Sequence, residues 1–141
     1  MQEFGYCIWL LPECNSKLYD IAKGFNPHIS LSTKLDRFAA INKLLTIKKQ
    51  KVQIRILKEP IITCENGFNA LQFNVKAIES LQLNPDDPHI SFIYKYNKEI
   101  SKEEIDEIVN KIDFNTVYNF ENYKLMYCNG DYRNWLDLIS I

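Results

Sequence analysis

The sequence predicts an α+β fold: a duplicated β-α-β-α-β unit that forms two antiparallel-sheet lobes with pseudo-twofold symmetry around a central cleft. Two observations predict it. The tetrapeptide Pro-His-Ile-Ser occurs at residues 27–30 and again at 88–91, 61 positions apart (88 − 27). Predicted strands and helices also follow each other in the same order in both halves. We therefore expect a single domain over residues 1–141, with an approximate internal repeat of 5–63 and 67–125.

The first half begins with a compact aromatic and β-branched run over residues 6–11, which predicts a buried strand. A helix is expected over 15–23, with an asparagine at its start and a glycine just after its end. The first repeat then starts a strand. Ser32 or Thr33 is expected to cap a second helix, whose apolar residues are spaced for a buried stripe as far as Leu45.

The middle of the chain has the pattern of a hairpin. A long strand is predicted over 52–62, in which Pro60 marks a bulge or a sheet edge because proline cannot donate to a ladder. Asn-Gly at 66–67 is a strong signal for a two-residue turn. The next strand is expected over 68–75.

The second half repeats this order. A short helix over 76–81 and a turn at 84–87 precede the second Pro-His-Ile-Ser strand. Serine and glutamate three positions apart, at 101–104, form a capping box that predicts an amphipathic helix. Two strands, over 117–128 and 135–141, are expected to complete the fold.

Composition limits the function classes. The chain has 141 residues and a formal charge of −1, so it has no overall attraction to nucleic acid or to an anionic membrane. The apolar run 8–11 is too short to cross a bilayer, and it lacks the flanks of a secretory signal. We therefore expect a cytoplasmic protein with no membrane partner, in the host cytoplasm if the source is a virus.

The cysteine spacing argues against a metal site. The chain has four cysteines and no Cys-x-x-Cys pair. Inside a cell such thiols stay reduced, and a free cysteine is most often buried. The sequence thus predicts no metal, no cofactor and no disulfide. The cysteines are Cys7, Cys14, Cys64 and Cys128.

Both histidines of the chain lie inside the repeated tetrapeptide. Because successive side chains of a strand alternate between faces, His28 and Ser30 face one side together, as do His89 and Ser91. The preceding prolines favour the start of a strand at the edge of a cleft. If the two strands lie side by side, two imidazoles and two hydroxyls converge, which predicts a phosphate site.

Two histidines around one phosphorus atom can hydrolyse a phosphodiester without a metal. Imidazole titrates near neutrality, so one ring can act as a base on the nucleophile while the other protonates the leaving oxygen. Serine hydroxyls can hold the non-bridging oxygens, whose charge must be stabilised in the transition state. The spacing leaves open which histidine is the base and which is the acid.

Two His-x-Ser/Thr motifs in a duplicated α+β chain resemble the 2H phosphoesterase superfamily. Within it, the chain is similar over nearly its whole length to the plant and yeast cyclic phosphodiesterase (LigT-like) group. The matching segments are 6–12, 27–30, 88–94, 101–104 and Trp135. The resemblance implies hydrolysis of cyclic phosphates, such as nucleoside 2′,3′-cyclic phosphates and ADP-ribose 1″,2″-cyclic phosphate. Relatives cut 2′-5′ linked oligoadenylate or cyclic dinucleotides.

Carried over by position, the resemblance also implies roles for individual residues. Catalysis is expected from His28 and His89, phosphate binding from Ser30 and Ser91, and nucleobase stacking from Trp9 and Tyr94. Counting by twos from His89 places Tyr94 on the opposite face of its strand unless a bulge intervenes. Trp135 is expected in the core. The segment between 75 and 88 is shorter than in plant relatives, which predicts a more open cleft.

Three functions follow as alternatives. The first is a metal-independent phosphodiesterase that acts on a small cyclic nucleotide phosphate, with a possible role at RNA ends. The second uses the same site on 2′-5′ oligoadenylate or on 2′,3′-cyclic GMP-AMP, an immune-evasion role that would suit a virus. The third is a non-catalytic RNA-binding module. A monomer is expected in each case.

Overall fold

Seven strands and two α-helices make up the described part of the chain, residues 3–77 and 88–141 of a computed structural model. The strands are β1 (Glu3–Pro12), β2 (Ile29–Leu35), β3 (Val52–Glu65), β4 (Phe68–Ala77), β5 (His89–Tyr96), β6 (Tyr118–Asn129) and β7 (Leu136–Ser140). The helices are α1 (Arg37–Thr46) and α2 (Lys102–Lys111), with short 3-10 helices at Lys17–Asp20 and Tyr132–Asn134. The predicted α+β class is confirmed.

All seven strands join in one antiparallel sheet, in the order β1-β2-β5-β4-β3-β6-β7. Because β1 also pairs with β6, the first six strands close on themselves. Two junctions are narrow: β2 and β5 share the single pair Ile29–Ile90, and β3 meets β6 only over Val52–Ile54. The strands expected in two antiparallel lobes thus belong to one sheet, while the duplicated symmetry stays a prediction.

β1 is buried on both of its faces. Ile8 and Leu10 point into the main hydrophobic core, whereas Cys7 and Trp9 point into a second, smaller apolar cluster. Both α-helices pack on the side of the main core, through Ala40 and Leu44 in α1 and Ile108 in α2. Neither α1 nor α2 covers the opposite face of β1, where Cys7 and Trp9 line a cavity.

The first predicted helix, over 15–23, is reduced to the 3-10 helix Lys17–Asp20. Its cap is Ser16, whose hydroxyl accepts the backbone N–H of Leu18 at 3.2 Å, and not Asn15. Leu18 and Ile21 are both buried and stand three residues apart. That spacing aligns side chains in a 3-10 helix, so two anchors are buried without a full α-helix.

The second helix starts later than predicted. β2 continues to Leu35, because Ser32 and Leu35 pair with β1. The cap of α1 is Asp36, whose carboxylate accepts the N–H of Ala39 at 2.8 Å. Ser32 and Thr33 belong to the sheet and cap nothing. The buried stripe of α1 consists of Ala40 and Leu44, whereas Leu45 is 69% exposed.

The predicted hairpin turn at 66–67 and the predicted capping box at 101–104 are confirmed. Asn66 and Gly67 have φ angles of 51° and 80°, as a two-residue hairpin turn requires. The register of β3 shifts between Ile56 and Pro60, where a bulge or a sheet edge was predicted. In α2, the Ser101 hydroxyl accepts the Glu104 N–H at 3.2 Å, and the Glu104 carboxylate accepts the Ser101 N–H at 3.0 Å.

Other predictions have different outcomes. Residues 76 and 77 belong to β4 and not to a helix, while the rest of the predicted helix 76–81 and the turn at 84–87 lie outside the described residues. All four thiols are free, but Cys14 and Cys64 are exposed and not buried. Neither α-helix of the described chain has the length and apolar character that crossing a membrane needs.

Candidate active site

The two Pro-His-Ile-Ser motifs lie side by side. Ile29 of β2 pairs directly with Ile90 of β5, and both side chains are fully buried in the main core. Because neighbours along a strand face opposite ways, the histidine and serine on either side of each isoleucine face the other side of the sheet. Continuing this antiparallel register places each histidine across from the serine of the other motif.

That side of the sheet holds a cavity of about 430 Å³. The structure brings all six residues that the sequence singled out to the lining of this cavity. They are His28, Ser30, His89, Ser91, Trp9 and Tyr94. A volume in this range is typical of pockets that enclose a small ligand.

His28 is held as a neutral ring with a defined tautomer. Its Nδ1 lies 2.8 Å from the backbone oxygen of Asn26, which can only accept, so Nδ1 carries the proton. The pKa of His28 is lowered to about 3, mainly by burial and to a smaller extent by the nearby His89, against the opposing effect of the Asn26 carbonyl. At neutral pH the unprotonated Nε2 is therefore a hydrogen-bond acceptor and a base.

Trp9 covers one face of this imidazole. The two rings are stacked, with centroids 3.4 Å apart and planes 6° apart. Trp135 contacts Trp9 edge-on at 5.8 Å. Only 4% of Trp9 is exposed, so the indole keeps water away from His28. The face of Trp9 that meets His28 is not open to a nucleobase.

Tyr94 reaches the cavity because β5 contains a bulge. Leu71 of β4 pairs with Ile93, but the next residue, Gln72, pairs with Ser91, which leaves Phe92 unpaired. Phe92 and Ile93 are both buried in the main core. Because Phe92 is an extra residue in the strand, Tyr94 faces the same side as Ser91, which strict alternation would not allow.

Tyr94 is hydrogen-bonded to Ser91. Burial raises the pKa of Tyr94, and its hydrogen bond with the Ser91 side chain opposes that rise only in part. The phenol of Tyr94 therefore stays protonated at neutral pH. Phe25 stacks on one face of the tyrosine ring, with centroids 4.2 Å apart, so a single face of Tyr94 is left for other contacts.

Sequence reasoning missed several residues of the cavity. Phe68, Ala70 and Gln72 line it from β4, and their alternate spacing in a predicted strand was the available signal. Phe4 lines it from β1. Trp135, expected in the core, is half-buried at the cavity wall, and its indole N–H donates to the Gly130 oxygen at 3.1 Å.

The cavity is poor in charge. Among the described residues that line it, Lys34 is the only lysine or arginine and Glu65 the only carboxylate. The basic cluster at 48–55 lies elsewhere; Lys49 caps the end of α1 at the Leu44 oxygen, 2.5 Å away. Residues 3–77 and 88–141 contain no group of three or more His, Cys, Asp or Glu arranged to hold a metal ion.

Comparison with known proteins gives no match. Neither a protein family, nor a curated protein, nor a solved structure matches this chain significantly. A functional assignment therefore depends on the residues of the cavity and on their geometry.

Proposed function

We propose that this protein is a metal-independent phosphodiesterase that hydrolyses a cyclic nucleotide phosphate, with His28 as the general base and His89 as the general acid. The observation that carries the proposal is the pairing of Ile29 with Ile90, which brings two His-x-Ser motifs together on one wall of a cavity. The chain has no other histidine. A purely structural role would not require both copies of the motif to face the same empty space.

The tautomer of His28 supports its assignment as the base. Its Nδ1–H donates to the backbone oxygen of Asn26, and its low pKa keeps Nε2 unprotonated at neutral pH. In the proposed reaction Nε2 removes a proton from water, and the water oxygen forms a bond to phosphorus. A base with so low a pKa is weak, so its catalytic contribution depends on approach of the anionic substrate, which favours the protonated ring.

His89 is the complementary group. It is half-buried and faces the cavity from the neighbouring strand. In the proposed reaction the protonated ring of His89 gives its proton to the ribose oxygen as the phosphorus–oxygen bond to that oxygen breaks. The product is a phosphomonoester with a free ribose hydroxyl. The proton gained by His28 returns through solvent to reset the pair.

The serines fit the role of phosphate ligands. Ser30 and Ser91 flank the histidines on the same face, where their hydroxyls can donate to the non-bridging oxygens. The Ser91 side chain is hydrogen-bonded to the Tyr94 phenol, which can hold the serine side chain in place beside the phosphate. In this proposal Tyr94 is a positioning residue as well as a possible stacking surface.

Nucleobase binding is assigned to the aromatic wall. Trp9 and Tyr94 each have one face covered, by His28 and Phe25 respectively. Phe4, Phe68 and Trp135 extend the same wall. Base stacking is tolerant of sequence because every base has a π-face, so this wall supports a nucleotide substrate without fixing its base.

The duplicated fold and the membership of the 2H phosphoesterase superfamily belong to the same proposal. The resemblance of the two motifs and their flanking segments supports them. In the described chain, each strand that begins at a His-x-Ser motif is followed by a helix and then by another strand. The first series is β2, α1, β3 and the second is β5, α2, β6. That order is the one a duplicated unit would give.

Product formation from a substrate panel tests the proposal, with EDTA present throughout. The panel holds 2′,3′-cyclic AMP, ADP-ribose 1″,2″-cyclic phosphate, 2′-5′ oligoadenylate and 2′,3′-cyclic GMP-AMP. We expect turnover of a cyclic phosphate that falls by at least about a thousandfold in His28→Gln and in His89→Gln. Circular dichroism and urea denaturation establish that each variant is folded.

Other outcomes favour the alternatives. Cleavage confined to 2′-5′ linkages would make the protein a 2′-5′ phosphodiesterase that uses the same residues. No turnover by a folded protein, together with RNA binding that survives both glutamine variants, would make it a binding module. Turnover that EDTA abolishes would contradict the two-histidine mechanism.

A further inference from the structure

One cation faces the cavity. Lys34 of β2 lines it, and no other lysine or arginine of the described residues does. The proposed reaction does not use Lys34, because the phosphate oxygens are assigned to Ser30 and Ser91. The side chain is exposed and free to reach a ligand from the mouth of the cavity.

The backbone is distorted to place this lysine. Lys34 has φ of 56°, in the left-handed region that non-glycine residues rarely adopt. Ile8 pairs with Ser32 and Tyr6 with Leu35, so residues 33 and 34 form a bulge in β2. Thr33 and Lys34 are consecutive, yet both line the cavity. A regular strand would turn one of them away.

The neighbouring strand β1 has a glycine where it packs against this bulge. Gly5 of β1 has φ of 62°, and a Cβ atom at this position would lie 3.4 Å from the Lys34 Cα and the Leu35 oxygen. The pKa of the Cys7 thiol is lowered, mainly by its hydrogen bond with Cys128 and to a smaller extent by the backbone N–H of Lys34. Strained residues of this kind are retained where the surrounding structure holds them, and they cluster at binding sites.

Lys34 lies well away from the scissile position. It follows Ser30 by four residues on the same strand, a distance of at most roughly 13 Å between Cα atoms at the usual rise per residue, because the bulge shortens the strand. A lysine at that distance cannot be a ligand of the phosphate that Ser30 holds without extending its whole side chain back along the strand. It is placed to meet a different part of the substrate.

We propose that Lys34 binds a second phosphate group of the substrate, distinct from the scissile phosphodiester; this inference rests on the proposed function. An ammonium group is a compact charge well suited to phosphate, and an aromatic wall strengthens the attraction by lowering the local dielectric.

The subsite ranks the possible substrates. ADP-ribose 1″,2″-cyclic phosphate carries a pyrophosphate, and 2′-5′ oligonucleotides and cyclic dinucleotides carry a second phosphodiester. A nucleoside 2′,3′-cyclic phosphate such as 2′,3′-cyclic AMP has only the scissile group. The chain is therefore expected to prefer ligands with two or more phosphate groups.

Calorimetric binding of two product-like ligands tests the subsite. The ligands are adenosine 2′-monophosphate and adenosine 2′,5′-bisphosphate, which differ by one phosphate. The variants are Lys34→Asn, Lys34→Arg and, as a matched control, Lys48→Asn at an exposed lysine outside the cavity. Asparagine removes the charge and tolerates the left-handed backbone, so the bulge is preserved.

We expect the wild-type protein to bind the bisphosphate about tenfold more tightly, as a single charged hydrogen bond would provide. The preference should disappear in Lys34→Asn and persist in Lys34→Arg and Lys48→Asn. Equal affinity for both ligands in the wild-type protein, binding of neither, or a preference that survives Lys34→Asn would overturn the subsite. Turnover of the substrate panel is measured separately, so failure of the proposed reaction is distinguishable from failure of the subsite.

Discussion

The imidazole of His28 lies flat against the indole of Trp9, with ring centroids 3.4 Å apart and an angle of 6° between the planes. Trp9 comes from β1 and His28 from the residue just before β2, so two adjacent strands build this contact. The indole removes one face of the imidazole from water, and burial is the main cause of the low pKa of His28. Trp9 thereby contributes to the burial that lowers the pKa of His28.

Replacing the indole should raise the pKa of His28. In Trp9→Leu, water reaches the imidazole, and we expect its pKa to rise from about 3 toward the ordinary value of 6.5. The change removes buried aromatic surface, so the free energy of unfolding should fall by about 2–3 kcal/mol. Proton NMR titration measures the pKa, and the His89→Gln variant assigns the two histidine signals. An unchanged His28 titration would show that Trp9 does not shield the ring.

The free energy of unfolding should begin to fall as the pH drops below about 6.5, above the pH range in which carboxylates titrate. The folded state holds His28 neutral down to pH about 3, whereas the unfolded chain protonates it near 6.5. The unfolded state therefore binds more protons between these values, and stability falls as the pH drops. The full effect is roughly 3–5 kcal/mol, about 1.4 kcal/mol for each pKa unit.

Urea denaturation at pH 7, 6 and 5 measures this loss. The carboxylates contribute below that window, since Glu107, whose pKa is lowered to about 2 by Lys23 and Lys111, starts from an ordinary value of 4.5. Between pH 7 and 5, the free energy of unfolding of His28→Gln should change less with pH than that of the wild-type protein. Parallel curves for the wild-type protein and this variant would contradict a buried neutral His28.

Removing the Tyr94 hydroxyl should slow turnover without weakening substrate binding. In Tyr94→Phe the ring and its stacking on Phe25 remain, but Ser91 loses its hydrogen-bond partner. A neutral hydrogen bond of this kind changes kcat by roughly three- to tenfold, with KM unchanged. The double variant with Ser91→Ala should be no slower than Ser91→Ala alone, because both changes act through one hydroxyl. Additive losses would assign Tyr94 a separate role.

A carboxylate at position 72 should weaken binding of the anionic substrate. Gln72 pairs with Ser91 across β4 and β5 and lines the cavity, so Gln72→Glu places a negative charge beside the proposed phosphate position. We expect KM to rise roughly tenfold at low salt and the effect to shrink as salt increases. Gln53→Glu, an exposed site on β3 outside the cavity, is the matched control. If Gln72→Glu and Gln53→Glu have equal KM values, the phosphate does not bind near Gln72.

The sequence by itself determined the features that depend on near neighbours. The Asn-Gly turn at 66–67 and the capping box of Ser101 and Glu104 were predicted, and the structure confirms them. Pro60 was predicted to mark a bulge or a sheet edge, and the register of β3 shifts just before it. Each is decided by a few consecutive residues whose backbone angles or hydrogen bonds allow one local structure. The duplicated Pro-His-Ile-Ser motif likewise identified the strands that the structure brings together at the cavity.

The tertiary structure decided the rest. The Phe92 bulge that turns Tyr94 into the cavity exists because both Phe92 and Ile93 are buried in the core, which no local pattern reveals. The late start of α1 follows from pairing of β2 with β1. The low pKa of His28 depends on Trp9, 19 positions away (28 − 9). Register and burial arise between strands distant in sequence, so only the assembled sheet could set them.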